Sequence, residues 1–356
     1  MNPSIRFSNS QQFAFHQSLK QRIQDYFDRN HKATDGGPLM VWKALFWLLL
    51  YLGPLVALMV FPMHWTVAAL LYFWLGIALA GIGMGVMHDA CHNSFSSKAW
   101  VNRLFASSIY IIGGNKFSWK MQHNVLHHTY TNIHGADEDI TGMALLRFDS
   151  HKPLKKVHRY QHWYAPLLYS LMTLSFYFKD INHSLLWTSG KGLKFRLVQM
   201  TKLISGKLIY FGILLVLPLL VSPLPWWMVL LGFLLVNLVA GFIMAMVFQL
   251  AHIVEGTDQP LPDELGKMEH SWAVHQLQTT ANFSPGNRLL TWYVGGLNYQ
   301  IEHHLFPNIS HIHYPAISRI VRSTAEEFGH RYQTFASMTQ ALGAHFGALR
   351  ALGAGA

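Results

Sequence analysis

Two long stretches of this sequence contain neither lysine nor arginine, residues 44–97 and 208–266. A helix needs about 20 mostly apolar residues to cross the hydrocarbon core of a bilayer. Three of the apolar segments inside these stretches meet that length, and the third in order meets it when it borrows residues from its flanks. The sequence therefore predicts four transmembrane helices, at 44–61, 65–87, 208–221 and 226–250.

The links within each pair of segments are very short, residues 62–64 in the first and 222–226 in the second. Each pair therefore forms a hairpin, and both tight turns lie on the same side of the membrane. All 27 lysines and arginines then fall on the opposite side, in residues 1–43, 98–207 and 267–356. The positive-inside rule assigns that side to the cytoplasm.

These segments predict an all-α integral membrane protein, with four transmembrane helices in two hairpins and a cytoplasmic helical cap. The chain then forms a single functional domain. We expect an interfacial, cytoplasmic N-terminal segment at 1–43, followed by the first hairpin at 44–87. A cytoplasmic region with the first two histidine clusters follows at 88–207, then the second hairpin at 208–250 and a cytoplasmic region with the third cluster at 251–356.

Two further segments carry apolar surface without the length of a span. Residues 163–178 are apolar and aromatic but short, so we expect a helix in the membrane interface or packed on the cytoplasmic cap. Near the N-terminus, Phe15, Leu19, Ile23 and Tyr26 recur at helical spacing. That face predicts a helix that contacts either the cap or the membrane.

Histidine is unusually frequent, with 22 residues, and the predicted topology places eight of them, from four segments of the chain, at one depth. His88 and His92 follow the second apolar segment, and His252 follows the fourth. The others belong to "HNVLHH" at 123–128 and "QIEHH" at 300–304. A spacing of four residues places two rings on one face of a helix. Eight imidazoles are therefore expected to converge: His88, His92, His123, His127, His128, His252, His303 and His304.

Eight imidazoles exceed what one metal ion can use. A structural zinc site takes about four ligands, and a catalytic zinc takes about three from the protein plus water. The set therefore suits two ions that keep open positions. Imidazole binds iron, copper, zinc and nickel alike, so the ligand type alone leaves the metal open. The single cysteine, Cys91, excludes a site built from several cysteines.

In this order around two hydrophobic hairpins, "HDACHNS", "HNVLHHTYTN" and "GGLNYQIEHHLFP" resemble the three histidine boxes of the membrane fatty acid desaturases. The resemblance covers most of the chain, residues 5 to 345. Gln300 stands where many acyl-CoA desaturases have histidine, and this is similar to the front-end subgroup, which inserts a cis double bond on the carboxyl side of an existing one. Residues 6–27 are also similar to the start of bacterial linoleoyl-CoA desaturases. The resemblance implies a bacterial inner-membrane enzyme whose active site faces the cytoplasm.

The resemblance also implies two iron ions, O2 as co-substrate and no catalytic residue beyond the metal centre. Phe248 stands four residues before His252, where acyl-CoA desaturases have Asn, and Gln300 replaces an imidazole, so one iron is held by fewer nitrogens or through water. The implied iron ligands are His88, His92, His123, His127, His128, His252, His303 and His304, with Gln300 as a further candidate. The nearest carboxylates for orienting the ligating rings are Asp89, Asp137, Asp139 and Glu302.

The resemblance has consequences for partners as well. The His-Pro-Gly-Gly haem signature of a fused b5-type cytochrome domain is absent from this sequence. A separate electron donor is therefore implied, either a b5-type cytochrome or a ferredoxin with its reductase. Such donors are typically acidic, and a net charge of +10 attracts them. The implied substrate is a fatty acyl-CoA or an acyl-lipid in the surrounding membrane, and we expect no nucleic-acid partner.

Other functions stay open at this point. A lipid hydroxylase, or a sphingolipid desaturase or hydroxylase of the same superfamily, uses similar histidine boxes and differs in its product. A membrane metal transporter places ionisable ligands within the spans, and a bis-histidine haem protein places them inside the helix bundle. The sequence instead gathers its histidines beyond the ends of the spans, which favours the desaturase.

Overall fold

The structure is a computed structural model that describes residues 5–8, 13–141 and 144–355. Part of the predicted N-terminal segment, residues 1–4 and 9–12, lies outside the described residues. The chain divides into two compact units. We call them the histidine unit, residues 1–36, 122–165 and 247–356, and the membrane unit, residues 37–121 and 166–246.

Helices dominate the described residues. Short 3-10 turns lie at Ser107–Tyr110, Lys156–Tyr160 and His311–His313. Two strands of two residues, β1 (Asn282–Phe283) and β2 (Thr334–Phe335), pair in parallel. In chain order the helices are α1 (Phe13–Arg29), α2 (Gly37–Val60), α3 (Trp65–Cys91), α4 (Ala99–Ala106), α5 (116–130), α6 (Glu138–Thr141), α7 (Gln161–Tyr169), α8 (Met172–Thr188), α9 (Leu193–Val221), α10 (Trp226–His252), α11 (Trp272–Thr279), α12 (Arg288–Tyr293), α13 (Gln300–Leu305), α14 (Tyr314–Glu327) and α15 (Met338–Ala354).

Four of the described helices are long and apolar enough to cross a membrane, which confirms the predicted spans. They are α2, α3, α9 and α10. The third span, predicted at 208–221, gains its length on the N-terminal side and begins at Leu193. That extension contains Lys207, whose ammonium lies 2.6 Å from the carboxylate of Asp180 in α8. A paired lysine is tolerated in a buried position where an isolated charge is not.

Glycines allow the helices of the membrane unit to approach closely. A Cβ atom on Gly81 of α3 would lie 2.7 Å from the ring of Trp47 in α2. A Cβ atom on Gly76 would lie 2.6 Å from Val239 in α10. These contacts explain why small residues recur in α3, since a side chain at either position would force the helices apart.

The segment 163–178 is divided between α7 and α8, and α8 packs within the membrane unit. The hydroxyl of Thr173 donates to the backbone oxygen of Asn237 in α10 at 2.9 Å. The Lys207 ammonium also donates to the carbonyl oxygens of Gly113 and Phe176, at 2.6 and 3.0 Å. Polar contacts thus hold α8 against α9 and α10, and its expected place in the membrane interface or on the cytoplasmic cap stays a prediction.

The core of the histidine unit is built around α1. Its buried face consists of Phe15, Leu19, Ile23 and Phe27, packed in one cluster with residues of α11, α13 and α14. Tyr26, predicted on this face, is only partly buried at its edge. Burying each large apolar side chain stabilises a fold by about 1.5–3 kcal/mol. The N-terminal helix therefore packs on the unit that contains the second and third histidine boxes.

Candidate metal centre

The second histidine box lies in an unusual helix. Residues Lys120–His127 of α5 form a π-helix, followed by a short α-helical turn from His128. In a π-helix the backbone hydrogen bonds join residues five apart, so residues at that spacing share a face. His123 and His128 are five apart, and their Nε2 atoms lie 3.3 Å from each other. In an α-helix the same two rings would point about 140° apart.

The third box follows a sharp turn at Gly295 and Gly296, which have φ angles of 63° and 70°. A Cβ atom on Gly296 would lie 2.6 Å from Cβ of His311, so only glycine fits this close approach. The turn leads into α13, in which Gln300 through Leu305 are all buried. This short helix directs His303 and His304 into the interior of the histidine unit.

Three histidines of the histidine unit form a compact group. One ring nitrogen of each of His127, His252 and His304 lies within 4.8 Å of the others, and all three residues are buried. The ring centroids of His127 and His304 are 4.9 Å apart, and those of His252 and His304 are 4.8 Å apart. The second box, the end of α10 and the third box therefore meet at one point.

The remaining box histidines of this unit lie beside that group. The ring of His128 is 4.5 Å from that of His303 and 4.5 Å from that of His304, measured between centroids. His123 stacks on His303 at 5.9 Å. The ring of Phe248 lies 6.4 Å from His123. Six histidines thus pack ring against ring, with an aromatic wall at the position where the sequence lacks the expected Asn.

The first box belongs to the membrane unit. A π-helical segment, Gly83–Met87, precedes it within α3, and π-segments are frequent at functional sites. The rings of His88 and His92 are both buried, with centroids 4.8 Å apart. Asp89 Oδ1 lies 4.0 Å from Nδ1 of His88, beyond hydrogen-bond distance. The predicted pairing of rings at this spacing is observed.

Each ring of the compact group has one nitrogen held by an acceptor. Nδ1 of His127 donates to Asp137 Oδ2 at 3.1 Å. Nδ1 of His252 donates to the carbonyl oxygen of Thr279 at 3.3 Å. Nδ1 of His304 donates to Oε1 of Gln276 at 2.9 Å. A neutral imidazole with its proton on Nδ1 has its lone pair on Nε2, so all three rings are prepared to coordinate a metal through Nε2.

Carboxylates set the charge preference around His127. Burial alone lowers the pKa of His127, but Asp137 and Asp139 outweigh it and raise that pKa to about 9. Burial likewise acts to raise the pKa of Asp137, yet His127 and two backbone N–H groups outweigh it and lower that pKa. The site therefore favours positive charge on this ring, and a metal cation on Nε2 satisfies the same preference as a proton. Of the four predicted orienting carboxylates, Asp137 and Asp139 contact a box histidine in this way.

Glu302 occupies a different place from the one expected. Its carboxylate accepts hydrogen bonds from Asn282 Nδ2 and from the hydroxyl of Tyr332, each at 2.8 Å. Asn282 Oδ1 accepts from the backbone N–H of Ile301 at 2.9 Å. Burial raises the pKa of Glu302 to about 7, against the effect of these two donors. Its observed hydrogen bonds thus join α13 to β1 and the segment before β2, rather than orienting a ring.

Gln300 starts α13 and is buried. Its Nε2 atom has no hydrogen-bond partner among the described residues. Buried amides normally satisfy such a donor. Whether Gln300 binds a metal therefore stays a prediction from the sequence.

Sequence reasoning missed several residues that hold the ligand rings. Gln276 and Thr279 of α11 accept from His304 and His252, and the hydroxyl of Tyr314 lies 3.2 Å from Nδ1 of His303. His275 is buried, its Nε2 donates to the carbonyl oxygen of Thr131 at 2.8 Å, and burial lowers its pKa to about 4. These residues form no motif with the boxes, so no pattern in the sequence marks them.

A cavity of about 660 Å³ borders this centre and is lined partly by His252 and His275. Its other walls include the carboxylates of Glu255, Asp258 and Glu269. Apolar side chains, among them Ile253, Val254 and Leu352, complete the lining, so the cavity is mixed in character.

The donor set fits divalent iron. Its members are buried imidazoles with fixed lone pairs, and imidazole is a good ligand for iron as well as for zinc and copper. Hydrogen bonds to the opposite ring nitrogen, as seen for His127, His252 and His304, are the usual accompaniment of metal-binding histidines.

Comparisons with known proteins agree with this site. The family model described as fatty acid desaturase matches residues 63–336. An sn-1 linoleoyl-lipid 6-desaturase from Synechocystis sp. is 34% identical over 98% of each chain. An acyl-lipid (8-3)-desaturase from Physcomitrium patens is 33% identical over 98% of this chain and 74% of its own. A second acyl-lipid (8-3)-desaturase, from Mortierella alpina, is 30% identical over 95% of this chain and 78% of its own. With its four spans and buried histidine cluster, the chain belongs to the fatty acid desaturase family.

Proposed function

We propose that this protein is an O2-dependent front-end desaturase that acts on an unsaturated acyl chain, carried by a membrane glycerolipid, at a centre of two iron ions. The single observation that carries the metal centre is the buried group of His127, His252 and His304, with its nitrogens within 4.8 Å of one another. The names of the relatives reported above, which refer to linoleoyl-lipid and acyl-lipid substrates, support the choice of a lipid-borne chain.

The proposed ligands extend beyond that group. His123, His128 and His303 pack against it in the histidine unit. His88 and His92 of the membrane unit complete the set in this proposal, which follows the order of boxes in the family. Gln300 remains a candidate, directly or through water. Eight imidazoles for two ions leave positions open for O2.

When bound, the iron pair supplies, together with O2 and two electrons, the oxidant that removes two hydrogens from an unactivated methylene pair. The residues of the chain hold and shield that centre. Asp137, Thr279 and Gln276 keep the protons of three rings on Nδ1. The burial of these rings excludes bulk water from the ligand nitrogens, which limits side reactions.

The electrons are proposed to come from a separate donor, a b5-type cytochrome or a ferredoxin with its reductase. The distribution of lysine and arginine supports a cytoplasmic active site, and a bacterial inner membrane is the proposed location. The net charge of +10 favours an acidic donor at that surface.

Expression in a host fed linoleate tests this function, with a b5-type cytochrome and a ferredoxin–reductase pair each supplied in turn. We expect a new polyunsaturated acyl chain with two hydrogens fewer and a double bond on the carboxyl side of the existing ones. His127→Ala abolishes that product. His64→Ala is the matched control, because His64 caps α3 at an exposed turn, where it contacts Thr66 and the ring of Trp65.

Two properties of the product distinguish the alternative functions and substrates: the position of the new double bond, and the molecule that carries the modified acyl chain. Derivatisation and mass spectrometry locate the double bond, and lipid fractionation at early times shows whether it appears first in glycerolipid or in acyl-CoA. A hydroxylated product overturns desaturation while keeping an oxidising metal centre. A product that appears first in acyl-CoA overturns the lipid-borne substrate.

A further inference from the structure

Helix α11 contains none of the three histidine boxes, yet it contacts the ligands of two of them. Trp272 Nε1 donates to the carbonyl oxygen of His128 at 3.1 Å, three residues before the helix reaches His275. At the other end of the helix, the carbonyl oxygen of Thr279 accepts from Nδ1 of His252 and from Asn132 Nδ2, both at 3.3 Å. Between these contacts lies Gln276, which is completely buried.

The side chain of Gln276 lies between the second and third boxes. Its Oε1 accepts from Nδ1 of His304 at 2.9 Å. Its Nε2 donates to the carbonyl oxygen of His128 at 3.3 Å. The hydroxyl of Thr131 lies 2.9 Å from Oε1 and 2.7 Å from the carbonyl oxygen of His127. One amide thus contacts a ring of one box and the backbone of the other.

These partners fix the orientation of the amide. The carbonyl oxygen of His128 can only accept, so the group that faces it must be the NH2 of Gln276. The oxygen then faces His304, and a purely accepting oxygen requires a proton on Nδ1 of that ring. The lone pair of His304 is therefore on Nε2, the atom that would face a metal.

We propose that Gln276 is a positioning residue of the metal centre, which fixes the tautomer of His304 and locks the third box to the second. This inference rests on the proposed function, in which His304 binds iron. It gives α11 a defined role, that of a scaffold whose side chains and carbonyl groups orient ligands that it does not itself supply. The essential contact is the acceptor that Gln276 offers to His304.

Partners that hold a ligating histidine typically contribute about 10–100-fold to metal affinity. Gln276→Asn is too short to reach His304, and Gln276→Met fills the space without an acceptor. Both variants are expected to lose iron affinity by about that factor. Gln276→Glu keeps an acceptor at the same reach, and a proton on its buried carboxyl group replaces the NH2 that donates to the carbonyl oxygen of His128. This variant is expected to bind iron within a few-fold of the wild-type protein.

The test is the iron affinity of the purified, full-length protein in detergent, measured by competition with a ferrous chelator. Gln278→Met is the matched control, since Gln278 lies two residues further along α11 and faces the cavity described above rather than a ligand. Melting temperatures of the metal-free proteins show whether each variant folds. If Gln276→Met does not fold, the iron affinity of Gln276→Asn alone is compared with that of the wild-type protein.

The expected pattern is weak binding in Gln276→Asn and Gln276→Met, near-normal binding in Gln276→Glu, and no change in Gln278→Met. Wild-type affinity in a folded Gln276→Asn overturns the inference. Equal losses in Gln276→Asn and Gln276→Glu also overturn it, because packing rather than the acceptor would then matter. If the wild-type protein itself binds no iron, the proposed function fails first, and that outcome is distinct from any pattern among the variants.

Discussion

His127 shows how one ring can be prepared for a metal by its neighbours. Asp137 holds its Nδ1 proton, and the backbone N–H groups of Asn132 and Asp139 donate to the two oxygens of Asp137, each at 2.9 Å. The carboxylate is itself buried, so both its charge and its orientation are fixed by the fold. An orienting group of this kind raises the basicity of the ligand as well as fixing its tautomer.

Asp137→Asn removes that charge while nearly preserving shape. We expect iron affinity to fall by about 10–100-fold, because the ring loses both its orienting partner and the nearby negative charge. Iron retained after dialysis against a weak chelator measures the effect. Asp28→Asn is the control, because Asp28 is an exposed carboxylate on α1 that accepts from the neighbouring Gln24, far from any box histidine in the sequence. Unchanged iron retention in Asp137→Asn would show that this carboxylate does not support a metal ligand.

The buried carboxylate of Glu302 leads to a prediction about stability. Tyr332→Phe removes the hydroxyl that donates to Glu302 and accepts from Asn282. Leaving buried polar groups unsatisfied costs about 1–3 kcal/mol. We expect the melting temperature of the metal-free protein to fall, whereas Tyr26→Phe, at an exposed hydroxyl near Lys32, leaves it nearly unchanged. Equal melting temperatures for the two variants would contradict a structural role for this network.

Among the elements, the long apolar helices and α1 were accessible from the sequence, because their signal is local. Lysine-free runs mark α2, α3, α9 and α10, and the spacing of Phe15, Leu19 and Ile23 marks α1. The π-helix at Lys120–His127 was not predictable in this way, because the spacing rules used for helices assume the α-helical period. The role of α11 was also out of reach, since Gln276 and His304 are 28 residues apart and share no pattern.

Helix α15 contributes a pH-dependent element to the histidine unit. His345 is buried, donates from Nδ1 to the carbonyl oxygen of Ile253 at 2.6 Å, and has its pKa lowered by burial to about 4. The unfolded chain takes up a proton near the ordinary pKa of about 6.5, whereas the folded chain does not until pH falls further. The titration of His345 therefore does not change the free energy of unfolding above its ordinary pKa, and it lowers that free energy as pH falls from the ordinary pKa towards 4.

The loss amounts to about 3 kcal/mol at most, from about 1.4 kcal/mol for each pKa unit. Melting temperatures of the metal-free protein between neutral pH and pH 5 test it. We expect the wild-type protein to lose more stability on acidification than His345→Gln, which keeps a donor without this titration. Parallel curves for the two proteins would contradict the assignment.

On the scale of the whole molecule, the fold class and the family are confirmed, and both depended on features with strong physical constraints. Four apolar helices follow from hydropathy, and the histidine boxes are recognisable because metal ligands must keep their identity and spacing. What the sequence did not contain was the set of partners around those ligands. Asp137 was among four equivalent carboxylates, and only the folded chain distinguishes it from Glu302.

Metal binding should also stabilise the whole histidine unit. His127, His252 and His304 come from three separate segments, so a bound ion cross-links them. A ligand present at about 100 times its dissociation constant stabilises the folded state by roughly 2.7 kcal/mol. We expect chelation to lower the melting temperature of the wild-type protein and to leave that of His304→Ala, already weakened in binding, much less affected. Equal shifts would contradict a cross-linking role for this group.

The most direct test of the central claim is the metal content of the purified wild-type protein, expressed in iron-supplied cells. We expect about two iron ions per chain, with a Mössbauer spectrum of nitrogen-ligated iron. His127→Ala is expected to contain clearly less iron, and His64→Ala the same amount as the wild-type protein. Zinc in place of iron, or no stoichiometric metal at all, would contradict the proposed centre.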